Sequence, residues 1–182
     1  MQRELILETK RLWLRLMGQD DFPELCQILQ DPDVMYAYEH AFSEEEVKQW
    51  LERQMRRYET DGFGLWAVIQ KETGEMIGQA GLTLQDWDGA AVVEVGYLLK
   101  KDAWHQGYAT EAAVACKEYA FDTLGCSQVY SMIRENKRAS QRVAERNGMK
   151  PVGTLTKHYY GMDMPHIVYR VDKPGISEKE SF

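Results

Sequence analysis

Two short segments of the sequence carry residue types whose chemistry depends on their spacing. The first is Trp104-His105-Gln106-Gly107-Tyr108-Ala109-Thr110-Glu111. It follows an apolar run ending at Leu99 and opens onto Ala109, Ala112, Ala113, Cys116, Ala120 and Phe121 at helical spacing. A strand, a glycine loop and a new helix together leave unpaired N–H groups at the positive end of a helix dipole. A diphosphate is the natural ligand of such a junction. Gly107 and Ala109 keep the backbone accessible there, and Thr110 adds a hydroxyl donor. The same residues also suit an ordinary tight strand-to-helix turn, so the loop by itself leaves both readings standing.

The second segment is Glu94-Val95-Gly96-Tyr97-Leu98-Leu99. Glu94 stands in an otherwise apolar strand, and alternation puts it on the same face as Gly96. A carboxylate in apolar surroundings has a raised pKa, which suits it to collecting a proton. An edge-strand glutamate held in a salt bridge accounts for the same residue. Gly96 interrupts the strand pattern, the mark of a bulge or of a ligand approaching the backbone.

The elements that must position these segments follow from the periodicity. Arg11–Met17 alternates as a strand, and Phe22, Leu25, Cys26, Ile28 and Leu29 make a helix face that stops at Asp31-Pro32. Ser43-Glu44-Glu45-Glu46 is a capping box for a helix with Val47, Trp50, Leu51, Met55 and Tyr58 on its apolar side. Three strands joined by short turns follow, at Leu65–Ile69, Met76–Leu84 and Val92–Leu99, the pattern of an antiparallel meander. The helix from Gly107 ends at Leu124-Gly125, and Val129–Ile133 is a strand, so a right-handed crossover to a parallel neighbour is expected. A helix from about Ala139 to Arg146 and strands at Val152–Thr156 and His166–Val171 close the chain. A meander placed before the glycine loop disfavours a doubly wound dinucleotide binder, which begins with its strand-loop-helix unit. The expectation is one α/β domain over residues 1–172, followed by a polar tail over 173–182.

Composition narrows the function. The 182 residues are 44% hydrophobic and 28% charged, with a net charge of −7. A nucleic-acid ligand needs a clustered excess of Lys and Arg, so none is expected. The acidity is compatible with a cationic partner such as an amine. No run approaches the ~20 apolar residues of a membrane span, and the N-terminus lacks the apolar core of a signal peptide, so a cytoplasmic location is expected. Cys26, Cys116 and Cys126 are far apart, and His40, His105, His158 and His166 form no ligand spacing, so no metal is expected. The aromatic residues read chiefly as core, Trp50 above all, and the acidic start at Ser43–Glu46 reads as a solvated helix cap.

The segments Glu94–Leu99, Trp104–Ala112, Asn136-Lys137-Arg138-Ala139-Ser140 and Glu145-Arg146-Asn147-Gly148-Met149, taken in this order, resemble the GNAT superfamily of N-acetyltransferases. With the opening Glu8–Arg15, the resemblance is closest to the RimJ/RimL branch, whose members acetylate N-terminal amines of ribosomal proteins. It extends from about Thr9 to about Val171. It implies a single mixed, mostly antiparallel sheet flanked by helices, opened at its centre into a V by a bulge at Gly96. It implies acetyl-CoA as cosubstrate, with Gln106, Gly107, Tyr108, Ala109 and Thr110 around the pyrophosphate. Val95, Tyr97, Leu98 and Leu99 would offer the strand edge to the pantetheine arm, which Asn136 also reaches, with Ser140 one helical turn on. Trp104 replaces the family's usual Gln or Arg, and His105 replaces a usual glycine.

The implied activity is acetyl transfer to an amine, either a protein N-terminus or a small molecule, and a homodimer is compatible with it. A module that holds coenzyme A without turnover is the alternative. Glu94 is the candidate base, and a backbone N–H near Tyr97 would face the oxyanion. The usual tyrosine acid of the last helix is replaced by Ala144, leaving Ser140, Tyr159, Tyr160 or solvent for the thiolate. Ser140 reads equally as a helix cap.

Overall fold

The computed structural model describes residues 3–175; the last part of the polar tail, 176–182, and the first two residues lie outside the described residues. The chain builds strands β1 (Leu5–Glu8) and β2 (Leu12–Arg15), helices α1 (Phe22–Leu29) and α2 (Glu44–Thr60), and the meander β3 (Leu65–Gln70), β4 (Met76–Trp87) and β5 (Ala90–Leu99). Helix α3 (Tyr108–Asp122), strand β6 (Gln128–Arg134), helix α4 (Arg138–Arg146) and the hairpin β7 (Lys150–Tyr159) and β8 (Met162–Asp172) complete it. The eight strands form one sheet in the order β1-β2-β3-β4-β5-β6-β8-β7. Every pairing is antiparallel except β5 with β6.

Each helix forms for a reason visible in its residues. Ser43 Oγ accepts the Glu46 N–H at 3.2 Å while Glu46 Oε1 accepts the Ser43 N–H at 3.1 Å, closing the capping box of α2. On α3, Ala112, Ala113, Cys116 and Ala120 are fully buried, and these small side chains let the helix lie close to the sheet. Helices α3 and α4 cover one sheet face around Leu14, Trp66, Val68 and Val95. Helices α1 and α2 cover the other around Ala67, Ile69 and Leu98. Covered on both faces, β3 is buried along Leu65–Ile69 and shows no polar alternation.

One element was missed and one expectation needs correction. The short edge strand β1, paired with β2, is absent from the pattern reading because four residues of mixed polarity carry no measurable period. The bulge expected at Gly96 does not exist: the β4–β5 register runs unbroken from Trp87↔Ala90 to Gly78↔Leu99. The sheet opens instead between β5 and β6, which share a single paired position, Glu94↔Tyr130. No helix among the described residues is long and apolar enough to cross a membrane.

Glycines at 78 and 81, not at 96, are the residues that sheet packing demands. A β-carbon at Gly81 would lie 2.1 Å from the Gly64 carbonyl oxygen, whereas one at Gly96 would meet nothing closer than a Leu65 methyl at 3.7 Å. Gly81→Ala is expected to destabilise the fold by about 1–3 kcal/mol, and Gly96→Ala to stay within about 0.5 kcal/mol of the parent. Urea denaturation of both variants checks this; equal midpoints would show that the β3–β4 approach does not fix position 81.

Candidate active site

Past Glu94, β5 has no ladder partner on its β6 side, and side chains take over the bonding. Ser131 Oγ donates to the Val95 carbonyl at 2.8 Å, and Trp104 Nε1 donates to the Leu99 carbonyl at 3.1 Å. The Tyr97 hydroxyl donates to the Ser140 carbonyl at 2.9 Å, tying β5 to α4 across the gap. The Met132 N–H donates to Glu94 Oε2 at 2.5 Å. Because the Val95 carbonyl points into the gap, the two-residue period turns the N–H and C=O of Tyr97 the same way.

Two cavities open from this gap. One of about 460 Å³ lies between the end of β5, the N-terminus of α3 and α4, and is lined by Leu98, Leu99, Trp104, Gly107, Tyr108, Ala109 and Thr110. The other, of about 250 Å³, is bordered by Glu94, Val95 and Gly96 together with Tyr38, Trp50, Arg57 and Tyr159. Tyr97, Leu98, Lys137 and Ser140 line both. Glu94 and Gly96, two residues apart on β5, share a face by alternation.

The loop before α3 is held in a fixed shape. His105 has φ of 59° and Gly107, the N-cap of α3, has φ of 81°. Glycine reaches this left-handed region without cost, which explains why a glycine suits position 105 as well. Arg11 Nη1 donates to the Gln106 carbonyl at 2.9 Å, and Arg11 Nε donates to Glu111 Oε1 at 2.8 Å. Thr9 Oγ1 and the Arg11 N–H both donate to Glu111 Oε2. Burial pushes the Glu111 carboxyl up, but the Thr9 and Arg11 hydrogen bonds and the Arg11 charge outweigh it and hold the group below the ordinary carboxylate range. Gln106 itself donates to the Asp102 carbonyl and lines neither of the two cavities. A β-carbon at Gly107 would meet Arg11 Nη2 at 3.4 Å, so this glycine answers to backbone conformation and Arg11.

Glu94 is half-buried and walled by protein on several sides; burial raises its carboxyl above the ordinary range, against the opposing pull of Lys157, the Met132 N–H and Arg57. It forms no ion pair among the described residues, so its environment is not that of an edge-strand salt bridge. Ser140 is buried in the first turn of α4, whose N-cap is Lys137 without a side-chain cap bond, so the Ser140 hydroxyl is not the cap. Asn136 lies in the exposed turn before α4 and lines neither cavity; Lys137, the next residue, faces both. Burial lowers the Lys137 pKa to about 8. Ala144 is packed in the core, Tyr159 lines only the smaller cavity, and Tyr160 packs edge-on against His40.

Pattern reading missed several residues. Trp50 packs against the core beneath α1 and α2, as expected, but it also borders the smaller cavity, and its Nε1 donates to Gln79 Oε1 at 3.0 Å. His166, Arg53, Arg57, Arg134 and Lys157 border the same cavity, drawn from α2, β6, β7 and β8. No local spacing signals a cluster assembled from four separate elements. Lys137 was within reach, since it adjoins Asn136, but a one-residue phase is set only by the turn. Among the described residues no group of His, Cys, Asp and Glu has the composition of a metal site.

Comparison with known proteins bears on this arrangement. The model of the acetyltransferase (GNAT) domain matches residues 11–150. The chain is 35% identical to the Bacillus subtilis protein YkkB over 158 residues, 86% of this chain and 92% of that protein. An acetyltransferase structure from Agrobacterium tumefaciens superposes with a TM-score of 0.77 at 29% identity, over 92% of this chain and 94% of that one. A structure of RimL, a ribosomal L7/L12 alpha-N-protein acetyltransferase in complex with coenzyme A, superposes with a TM-score of 0.74 at 18% identity, covering 93% and 98%. That last likeness is one of fold.

Position 109 tests the larger cavity better than position 107, where any side chain is strained. An aspartate near a helix N-terminus favours the helix but repels an anionic ligand. Ala109→Asp is expected to keep the melting temperature and to weaken coenzyme A binding at least tenfold, about 1.4 kcal/mol. Unchanged affinity by calorimetric titration would remove the α3 N-terminus from the phosphate site.

Proposed function

The chain belongs to the GNAT family of acetyltransferases, and from that premise we propose that it moves an acetyl group from acetyl-CoA to a primary amine held beside Glu94, by direct attack with both partners bound. The observation that carries this reading is the meeting of two cavities at Tyr97, Leu98, Lys137 and Ser140. One presents a helix N-terminus and the other a carboxylate of raised pKa. The opening Glu8–Arg15 segment and the loop sequence support the RimJ/RimL-like branch.

The larger cavity fits the coenzyme. Backbone N–H groups of Tyr108, Ala109 and Thr110 begin α3 and are free to receive phosphate oxygens, and Arg142 and Arg146 add positive charge along the same groove. The edge of β5 at Tyr97 offers its C=O to an amide N–H of a pantetheine arm. When bound, acetyl-CoA supplies the thioester to be attacked.

Three tasks fall to the protein. Glu94 takes the proton that the amine must lose, acting from the smaller cavity. The Tyr97 N–H, turned into the gap, faces the carbonyl oxygen where negative charge grows. The departing sulfur needs a proton or a hydrogen bond at the junction. Tyr97 is committed to the Ser140 carbonyl, and burial pushes its phenol further up. Ser140 is left to hydrogen-bond the sulfur, and Lys137, cationic below about 8, to deliver the proton.

Two variants test these roles by their pH profiles. The rate at saturating substrates should rise with pH as Glu94 ionises, above the ordinary carboxylate range, and fall above about 8 as Lys137 loses its proton. Glu94→Gln should lower the rate about a hundredfold near neutral pH, with partial recovery on the alkaline side and coenzyme affinity intact. Its folded pKa being raised, Glu94 contributes stability that is complete below the carboxylate pKa and lost as pH rises through the folded value. Glu94→Gln should therefore gain melting temperature over the parent at neutral pH more than at acid pH. Lys137→Met should abolish the alkaline limb while retaining the acid one. Thiol release followed across pH decides; parental profiles in both variants would leave the protons to solvent.

A further inference from the structure

We propose that the acceptor is a small amine that also carries an anionic group, a carboxylate or a phosphate, seated between Arg53, Arg57 and Lys157 at the mouth of the cavity that holds Glu94. This assignment rests on the transferase reading above and names the class of its second substrate. Arg53 and Arg57 come one turn apart from α2, and Lys157 comes from β7. Among the described residues none of the three forms an ion pair, whereas Arg134 in the same cavity is neutralised by Glu39. Among the described residues Arg57 donates only to the Gln54 side chain, at 3.2 Å. Burial and the adjacent Arg53 charge lower its pKa, against the smaller opposing pull of Asp61 and Glu94. A chain of net charge −7 gains nothing in solubility by concentrating cations at one cavity. The charge is also distinct from that of the coenzyme groove, which these three residues do not line. Among the described residues Glu94 is the one carboxylate lining the cavity, and it lies within the influence of Lys157 and Arg57. A substrate with its amine toward Glu94 and its anion toward the three cations meets both signs. The volume, about 250 Å³, suits a compact molecule.

The test compares matched acceptors with the full-length protein and acetyl-CoA: amino carboxylates against their amides, aminoalkyl phosphates against the parent amino alcohols, a diamine, and a peptide with acidic residues after a free N-terminus. The anionic small molecules should exceed their neutral partners about tenfold in kcat/KM, and added salt should erode the ratio. Whichever of carboxylate and phosphate gains more identifies the anion. Arg57→Gln and Lys157→Gln should each raise KM for the anionic member and bring the ratio toward one, with coenzyme affinity and melting temperature retained. Equal use of charged and neutral partners, or preference for the diamine or the peptide, overturns the anionic small-molecule assignment and leaves the transferase reading intact. If coenzyme binds and no amine of any charge is acetylated, the transferase reading fails, and this assignment with it.

Discussion

The parting of β5 from β6 after one shared position is the constraint on which the rest of the molecule depends. Backbone polar groups inside a fold must be paired, and a strand that leaves its neighbour exposes a row of them. Here side chains satisfy most of that row: Ser131 on Val95, Trp104 on Leu99 and Glu94 on Met132. Only at Tyr97 are both backbone groups turned into the gap with no such substitute. The crossover through α3 makes this arrangement possible. A parallel neighbour reached by a helix can be set at an angle to its partner, whereas strands joined by short turns, such as β4 and β5, are held in register along their length.

Electrostatics divide the gap by function. On the α3 side, the acid in the first helical turn, Glu111, would oppose an incoming anion were it free. Arg11 and Thr9 hold it instead, so the dipole of α3 acts on the groove with its nearest carboxylate neutralised. The same Arg11 stacks over the Tyr108 ring at 4.1 Å and fixes the Gln106 carbonyl, turning that acceptor away from any phosphate. The loop that precedes β2 thus shapes the start of α3, although Thr9 and Arg11 line neither of the two cavities. This accounts for the opening segment Thr9-Lys10-Arg11 recurring with the loop in the resemblance.

Much of this was legible in the sequence, and the boundary of legibility has a physical basis. The meander, the capping box of α2 and the loop-to-helix junction are local: each is written in residues that contact one another within a turn or a hairpin. Glu94 and Gly96 share a face because strand alternation needs no tertiary knowledge. What failed was what local rules do not contain. Gly96 looked like a bulge because glycine in a strand has more than one use, and here the glycines demanded by close packing are Gly78 and Gly81 on the neighbouring strand. Trp50 fits an apolar helix face, but that face continues into the cavity wall. Asn136 and Lys137 differ by one position in a turn, where neither helix nor strand period tells which of them points inward.

The cations of the smaller cavity show why total charge is a poor guide to a ligand. A net charge of −7 favours a cationic partner only if the field at the site has the sign of the whole. At separations beyond about 8 Å, physiological salt screens exposed charges, so the surface acids of a distant helix contribute little inside a cleft. What a ligand in this cavity would meet is the local set: Arg53, Arg57 and Lys157 without ion-pair partners among the described residues, and one carboxylate of raised pKa. That carboxylate and those cations constrain one another. If Glu94 were buried among apolar groups alone, its pKa would rise until it held its proton at neutral pH and no longer served as a base. The Lys157 and Arg57 charges pull in the opposite direction. An anion seated on them would weaken that pull and raise the basicity of Glu94 once the acceptor is in place. Recognition of the acceptor's negative group and activation of its amine would then be two consequences of one charge arrangement.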